Sequence, residues 1–428
     1  MLDSGLPPGY DANDQDVDLP AYSSLSGVGR EVPSNLTDLS DGASKEFKYN
    51  IPLKGNKSSA SLVLYGNALI SKHLPTFLED SKVDGLVKVD VESGESINAV
   101  VISIQGKILS GAKQHIFLDY NQTLWSLSDG HTSPNGKLQG VHDWSFSVHL
   151  PQEVSLTIGS KDAPRVEVFR LPQTFMERHA RASIKYEVIA RFSRGLLKTD
   201  HRIITPFIYV PVIHPGLPSR LRQVAYEENT TIPGPIADPQ GWHTLAPVQI
   251  QGKLFNRQTV DFSCTLSLAL PLSYARGSVI PLHLVIQSDD VQTLESLSPP
   301  RAIICRLRRI LRYHPEENKA IDPKLRKDEL EHSELATWWP FVESPRPEKE
   351  TFKRTLSGEI ILSPDLMPTT FIGRFQLEYS VVLFPFDANN FQPESNDMLV
   401  DCAVEIATTL PPGPRPRIYR PEHQSVCY

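Results

Sequence analysis

Residues 184–191 read IKYEVIAR, a stretch that places apolar side chains on every second position. Successive side chains of a β-strand point to opposite faces, so this alternation predicts a strand with one face in a core. A helix would instead repeat its apolar residues every three to four positions. The stretch therefore predicts a half-buried strand.

The same alternation recurs along the whole chain. It is clearest at residues 87–91, 100–104, 144–150, 262–270, 280–286, 375–383 and 400–406. Turn-forming residues at 92–95, 275–278 and 387–390 separate many of these runs. The chain also has 36 Pro among 428 residues, and interior prolines disrupt helices. We predict an all-β fold made of antiparallel β-sandwiches.

The length suits two domains, and the two halves of the sequence echo each other. Tyr186 and Tyr379 each fall in the middle of an alternating run, and the strings at 94–97 and 277–280 resemble each other. We predict a duplicated sandwich: residues 58–215, a Pro-rich linker at 216–247, residues 248–410 with a charged insertion at 313–350, and a disordered Pro-rich tail at 411–428. Within the insertion, Asp322-Pro323 predicts a short helix through Leu335, and Trp338 is expected to pack against a sheet.

Residues 1–57 are predicted to be a disordered acidic tail. Residues 1–44 hold eight acidic side chains and one basic side chain, so they account for the whole net charge of −7. Their Ser, Asp, Gly and Pro content gives no apolar period that could compensate for the entropy of ordering.

Two short motifs stand out in this tail. Residues 7–10 read PPGY and residues 19–22 read LPAY, a P-P-x-Y string and its L-P-x-Y relative. Prolines favour a polyproline II conformation, which docks on aromatic grooves at low entropic cost. This pattern is typical of ligands for WW domains. In a chain with this proline and tyrosine content, the number of P-P-x-Y strings expected by chance is far below one. The predicted contact residues are Pro7, Pro8, Tyr10, Leu19, Pro20 and Tyr22.

The body resembles the arrestin fold, specifically the fungal-type α-arrestin family. The resemblance covers about residues 60–410 and depends on the order of several strings: VKVDV at 87–91, the run 97–106, WSFSVHLP at 144–151, IKYEVIAR at 184–191, and GSVIPL at 277–282. Many members carry their P-P-x-Y motifs after the fold, whereas here the motifs precede it.

The resemblance implies a non-catalytic adaptor. It would link a WW-domain HECT-type ubiquitin ligase to membrane transporters or receptors for ubiquitination and endocytosis, from the cytoplasm and at the plasma membrane or endosomes. One alternative is an arrestin-fold scaffold in vesicle sorting or signalling that works without ubiquitin. A third is a β-sandwich enzyme or carbohydrate-binding module.

Five arginines form a second candidate site. They crowd one strand-like segment as candidate contacts for an anionic surface such as a membrane: Arg301, Arg306, Arg308, Arg309 and Arg312. The alternative is a solvated strand face that discourages aggregation.

The sequence lacks the common short motifs of enzymes and metal sites. The chain has no G-x-S-x-G, P-loop, G-x-G-x-x-G or H-E-x-x-H string, so we expect no enzyme activity, no cofactor and no metal. Its acidic balance predicts no nucleic-acid partner. The first residues lack the pattern of a secretory signal, and the four widely spaced cysteines are expected to be reduced thiols.

Overall fold

A computed structural model describes most of the chain after residue 43. The described residues are 44–53, 58–68, 70–95, 97–110, 113–129, 138–160, 163–178, 180–194, 198–313, 326–330, 334–341 and 352–420. They form 24 β-strands and two α-helices, so the predicted all-β fold is confirmed. Nearly all strand pairs are antiparallel.

The first half of the body is a sandwich of two sheets with a hairpin beside it. Its strands are β1 (Lys45–Pro52), β2 (Ser59–Gly66), β3 (Thr76–Leu78), β4 (Lys82–Glu95), β5 (Ala99–Ser110), β6 (Lys113–Ser126), β7 (Leu138–His149), β8 (Glu153–Ser160), β9 (Ala163–Arg170), β10 (Ala182–Ser193) and β11 (His201–Val210). One sheet has the order β1-β2-β4-β7 and the other the order β3-β11-β10-β5-β6, while β8 and β9 pair with each other.

The second half follows a connector that carries the helix α1 (Arg220–Glu228). Its strands are β12 (Trp242–Thr244), β13 (Val248–Leu254), β14 (Gln258–Ala269), β15 (Ser273–Ala275), β16 (Val279–Gln287), β17 (Cys305–Tyr313), β18 (Arg326–Leu330), β19 (Thr337–Pro340), β20 (Lys353–Ile361), β21 (Thr370–Ile372), β22 (Phe375–Leu383), β23 (Phe391–Pro393) and β24 (Val400–Ala407). The helix α2 (Val291–Leu297) follows β16 and is capped by the side chain of Asp290.

The two halves repeat one topology. In the second half, β13-β14-β16-β20 takes the place of β1-β2-β4-β7, and β15-β24-β22-β17-β18 takes the place of β3-β11-β10-β5-β6. Each copy even contains one short parallel pair at the same position, β3 with β11 and β15 with β24. The predicted duplication is therefore visible in the strand order.

The burial pattern explains why these strands form. Along β10 the residues alternate strictly between buried and half-buried, with Ile184, Tyr186 and Val188 fully inside. In β22 of the second half the same alternation holds for the first five residues, the rest of the strand is buried on both faces, and Tyr379 occupies the place of Tyr186. Each tyrosine donates its hydroxyl proton to a carbonyl of the preceding loop, at 2.6 Å to Pro172 and 2.7 Å to Met367.

The other predicted echo, between 94–97 and 277–280, does not match equivalent strands. Gly94 lies near the end of β4, whereas Gly277 precedes β16, which is itself the equivalent of β4. The two strings thus resemble each other without occupying the same place in the repeat.

Three predicted boundaries also need correction. The predicted tail 1–57 contains β1, which pairs along its whole length with β2. The predicted linker 216–247 contains α1 and β12, and β12 pairs with β14. In the insertion, residues predicted as helix form β18, because the edge of β17 provides backbone partners for them. Trp338 is 1% exposed and packs in the core, as expected.

Candidate functional site

The sequence-predicted motif residues and arginines fall in different parts of the chain. The six motif residues, Pro7, Pro8, Tyr10, Leu19, Pro20 and Tyr22, lie outside the described residues. Their contact with WW domains stays a prediction. The five arginines are described, and their positions can be compared with the prediction.

Four of the five arginines lie on β17 and do not share one face. Side chains alternate along a strand, so Arg306, Arg308 and Arg312 point away from the core while Arg309 points toward it. The fifth, Arg301, lies in the loop before the strand and is exposed.

The charges of three arginines are already neutralised within the protein. Arg308 is 9% exposed and forms an ion pair with Asp401 of β24. Arg312 pairs with Glu378 of β22 at 2.8 Å. Arg309 is 6% exposed and pairs with an acid of the first sandwich. The prediction of one anionic-surface site is therefore wrong for the buried Arg308 and Arg309. For the exposed Arg301 and Arg306, and for the partly exposed Arg312, it stays a prediction.

Arg309 joins the two sandwiches. Its guanidinium donates to the carboxylate of Glu177 at 2.5 Å, and Glu177 lies in the segment between β9 and β10. The two side chains are 7% and 21% exposed, so the pair is mostly shielded from water. Loss of either partner would leave a buried charge uncompensated. The pair therefore favours the relative position of the two sandwiches in which both side chains meet.

A second set of polar contacts lies at the same junction. The side chain of Gln173, from the first sandwich, lies 3.2 Å from the sulfur of Met367 and accepts from Arg276 at 3.4 Å. Burial lowers the pKa of Arg276 to about 10, which still leaves the side chain charged at neutral pH. Leu366 provides a further backbone acceptor for this guanidinium.

A contact between two aromatic rings and a hydrogen bond complete the junction. The rings of Phe175 and Phe375 meet edge to face at 5.2 Å across it. The amide of Ile213, at the start of the connector, donates to the hydroxyl of Thr408 at 2.7 Å, just after β24. Packing, ion pairing and backbone bonds therefore hold the two sandwiches in one relative orientation.

The outer face of the sheet formed by β16 and β20 is covered by the connector. Arg222 of α1 is 3% exposed and donates to the carbonyls of Gly241 and Leu270, at 2.5 and 2.7 Å. Its guanidinium also lies 5.8 Å from the ring of Trp242. His283 lies beneath this cover, and burial lowers its pKa to about 4.

Residues 411–420, which we call the C-terminal segment, cross the same face. Within this part of the tail predicted at 411–428, the backbone amides of Tyr419 and Arg420 donate to the carboxylate of Glu359 on β20. Glu359 is 2% exposed, and desolvation by burial raises its pKa to about 7 despite these hydrogen bonds. The C-terminal segment is thus docked on the second sandwich, and the prediction of a disordered tail is wrong for residues 411–420.

The described residues contain three cysteines and offer no grouped metal ligands. Cys264, Cys305 and Cys402 are buried free thiols, as expected for reduced cysteines. Within the described ranges, no three His, Cys, Asp or Glu side chains lie close enough to hold a metal ion. In that same part of the chain, no helix has the length and apolar character needed to cross a membrane.

Sequence reasoning missed Glu177 and Glu359, the two acids around which these contacts are built. Neither belongs to a motif, and their partners are more than 50 positions away in the chain. Comparison with known proteins adds no homologue: no protein-family model matches the chain, and no curated protein matches its sequence.

Proposed function

We propose that the protein is a non-catalytic adaptor of the α-arrestin type. It binds a WW-domain HECT-type ubiquitin ligase through residues 7–10 and 19–22 and presents membrane cargo, a transporter or receptor segment, for ubiquitination and endocytosis. The observation that carries the proposal is the pair of tyrosine-bearing proline motifs, PPGY and LPAY, located ahead of the first strand at Lys45.

The folded body is compatible with this role. Two sandwiches of one topology meet at a junction closed by the Arg309–Glu177 pair and by the ring contact of Phe175 with Phe375. A body of fixed shape offers a defined surface for a client, while the motifs are placed outside it in sequence. Two weak motifs on one chain raise apparent affinity through effective concentration if the ligase has several WW domains.

Binding to an array of WW domains tests the proposal. The full chain is compared with the double variant Tyr10→Ala, Tyr22→Ala, and with Tyr120→Ala as a matched control. Tyr120 is 40% exposed on β6 and is not part of a proline motif. We expect the double variant to lose binding to HECT-ligase WW domains and the control to keep it.

The same array separates the proposal from its alternatives. If the wild-type chain binds no WW domain, or if the double variant binds as the wild type does, the ligase-adaptor proposal is wrong. The second outcome would favour a scaffold that sorts vesicles or supports signalling without ubiquitin.

A further inference from the structure

The C-terminal segment lies in a groove between α1 and the outer face of β20. An open cleft of about 450 Å³ remains between the two, lined by Tyr226 and Glu227 on the helix side and by Pro414, Arg415 and Arg417 on the segment side. The segment does not pair with a strand here, so its position in the groove depends on a small number of specific contacts.

Glu359 recognises the backbone of the segment. Its carboxylate accepts from the amide of Tyr419 at 2.9 and 3.1 Å and from the amide of Arg420 at 3.3 Å. A buried carboxylate that binds two successive backbone amides recognises the main chain where it bends, here at Arg420, because successive amides of a straight extended chain point to opposite sides.

The end of α1 provides side-chain recognition. The last carbonyls of a helix have no partner within the helix and carry partial negative charge. The carbonyl of Tyr226 is one of these and accepts from Nε of Arg417 at 2.6 Å. The carbonyl of Ala225 already accepts from the amides of Asn229 and Thr230, and the Tyr419 hydroxyl adds a longer contact to it at 3.4 Å. Glu227 and Glu228 are exposed beside them, so this end of the groove favours an arginine.

At the other end of the groove, prolines of the segment lie beside prolines of the body. Pro414 and Pro416 are half-buried while Arg415 between them is exposed, as expected for an extended chain that shows alternate residues to the protein. A crevice contains Pro411 and Pro416 of the segment together with four prolines of the body: Pro215, Pro218, Pro271 and Pro281. Because proline fixes φ, such a segment docks with little loss of entropy.

We propose that this groove is a binding site for extended peptides that combine proline, arginine and an aromatic residue, and that residues 414–420 occupy it as an internal ligand. A partner peptide of the same chemistry then binds in trans by displacing them. The site shares no residue with the WW-binding motifs, so this proposal can be tested independently of the adaptor proposal.

The test uses the full chain and a fluorescent peptide with the sequence of residues 411–420, PPGPRPRIYR. The variant Arg417→Ala, Tyr419→Pro removes the guanidinium and the amide that anchor the internal ligand, both near the chain end. Hydrogen exchange at the Arg420 amide reports that the segment has left, and circular dichroism reports that the body is unchanged. A covalently attached ligand has an effective concentration near the millimolar range. We therefore expect the peptide to bind the variant at least tenfold more tightly than the wild type.

A second pair of variants identifies the groove. We call the chain with Arg417→Ala and Tyr419→Pro the released variant. Adding Glu359→Ala to it should weaken peptide binding at least tenfold, because two peptide amides lose their acceptor. Glu405→Ala, an exposed acid of β24 on the opposite sheet, serves as the matched control and should leave binding unchanged. Equal affinity for the wild-type and released chains, no binding to the released chain, or normal binding after Glu359→Ala would each overturn the proposal.

Discussion

The docking of the C-terminal segment should depend on pH through Glu359. Burial raises the pKa of this carboxyl from 4.5 to about 7, and desolvation exceeds the opposing effect of the amide hydrogen bonds. Release of the segment would expose the carboxyl to water and move its pKa back toward 4.5. The docked state therefore binds a proton more tightly than the released state, so low pH favours docking.

The magnitude follows from the two pKa values. Their difference corresponds to about 3 kcal/mol in favour of docking below pH 4.5, and this contribution disappears as the pH rises through 7. Between pH 6 and pH 8 the docking equilibrium constant should fall about tenfold. Above pH 8 the carboxylate is ionised in both states, and no further change is expected.

Other groups around Glu359 do not titrate in this window. Burial raises the pKa of Tyr226 to about 12 and also raises that of Tyr419. His283, on the neighbouring strand and the same face, has its pKa lowered to about 4. The pH dependence of docking can thus be assigned to one carboxyl.

Hydrogen exchange measured at the Tyr419 and Arg420 amides, corrected for the intrinsic rate at each pH, checks this prediction. Protection in the wild type should fall about tenfold from pH 6 to pH 8. In Glu359→Gln, which has no ionisable group, the corrected protection should be the same at both values. Protection that rises with pH would show that hydrogen bonding to the carboxylate outweighs desolvation and would refute the reasoning. An equal decrease in the Gln variant would also refute it.

Three further predictions concern stability and reactivity. Gly358→Ala should lower the free energy of unfolding by about 1–3 kcal/mol in urea titrations, because a Cβ there would overlap the ring of Trp338 in the core. Glu177→Ala should cost about 2–4 kcal/mol by the same measurement, since it leaves the buried guanidinium of Arg309 without its acid. Cys264 should resist iodoacetamide in the native chain at pH 8 and react in denaturant, as peptide mapping would show, because burial raises its pKa to about 12.

Matched controls are available for the two stability predictions. Ser357→Ala changes the next residue of the same strand, on the outer face, and should alter stability by less than about 0.5 kcal/mol. Glu167→Ala breaks the pair with Arg165, in which the side chains are 37% and 63% exposed, and should cost less than about 0.5 kcal/mol. If either control cost as much as its test variant, the proposed physical cause would be wrong.

The strands were predictable because their signal is local. In β10 the alternation of apolar residues matches burial position by position, in β22 it does so over the first five residues, and it also aligned Tyr186 with Tyr379. The same signal was present in β1, where Phe47, Tyr49 and Ile51 alternate, but the acidic residues before them obscured it. The helix α1 was hidden by the surrounding prolines, although Ser219 caps it.

The candidate sites were less predictable because they depend on contacts between distant segments. A row of arginines looks like a basic surface in the sequence, yet the pairing of β17 and β22 brings Arg312 to Glu378, and the junction brings Arg309 to Glu177. Nothing near Glu359 in the sequence indicates that α1 and the chain end will cover it. Local composition cannot report neutralisation or burial by segments that fold in from elsewhere.

The repeated topology provides an internal comparison for the burial of Glu359. The equivalent of β20 in the first sandwich is β7, and the outer face of β7 is exposed at Asp143, Ser145 and Ser147. A sandwich of this design therefore does not need a cover on this sheet. In the second sandwich the cover is present even though it desolvates an acid, which costs free energy. Packing alone would be served better by an apolar residue at Glu359, so the retained carboxylate is better explained by recognition of the two amides that it binds.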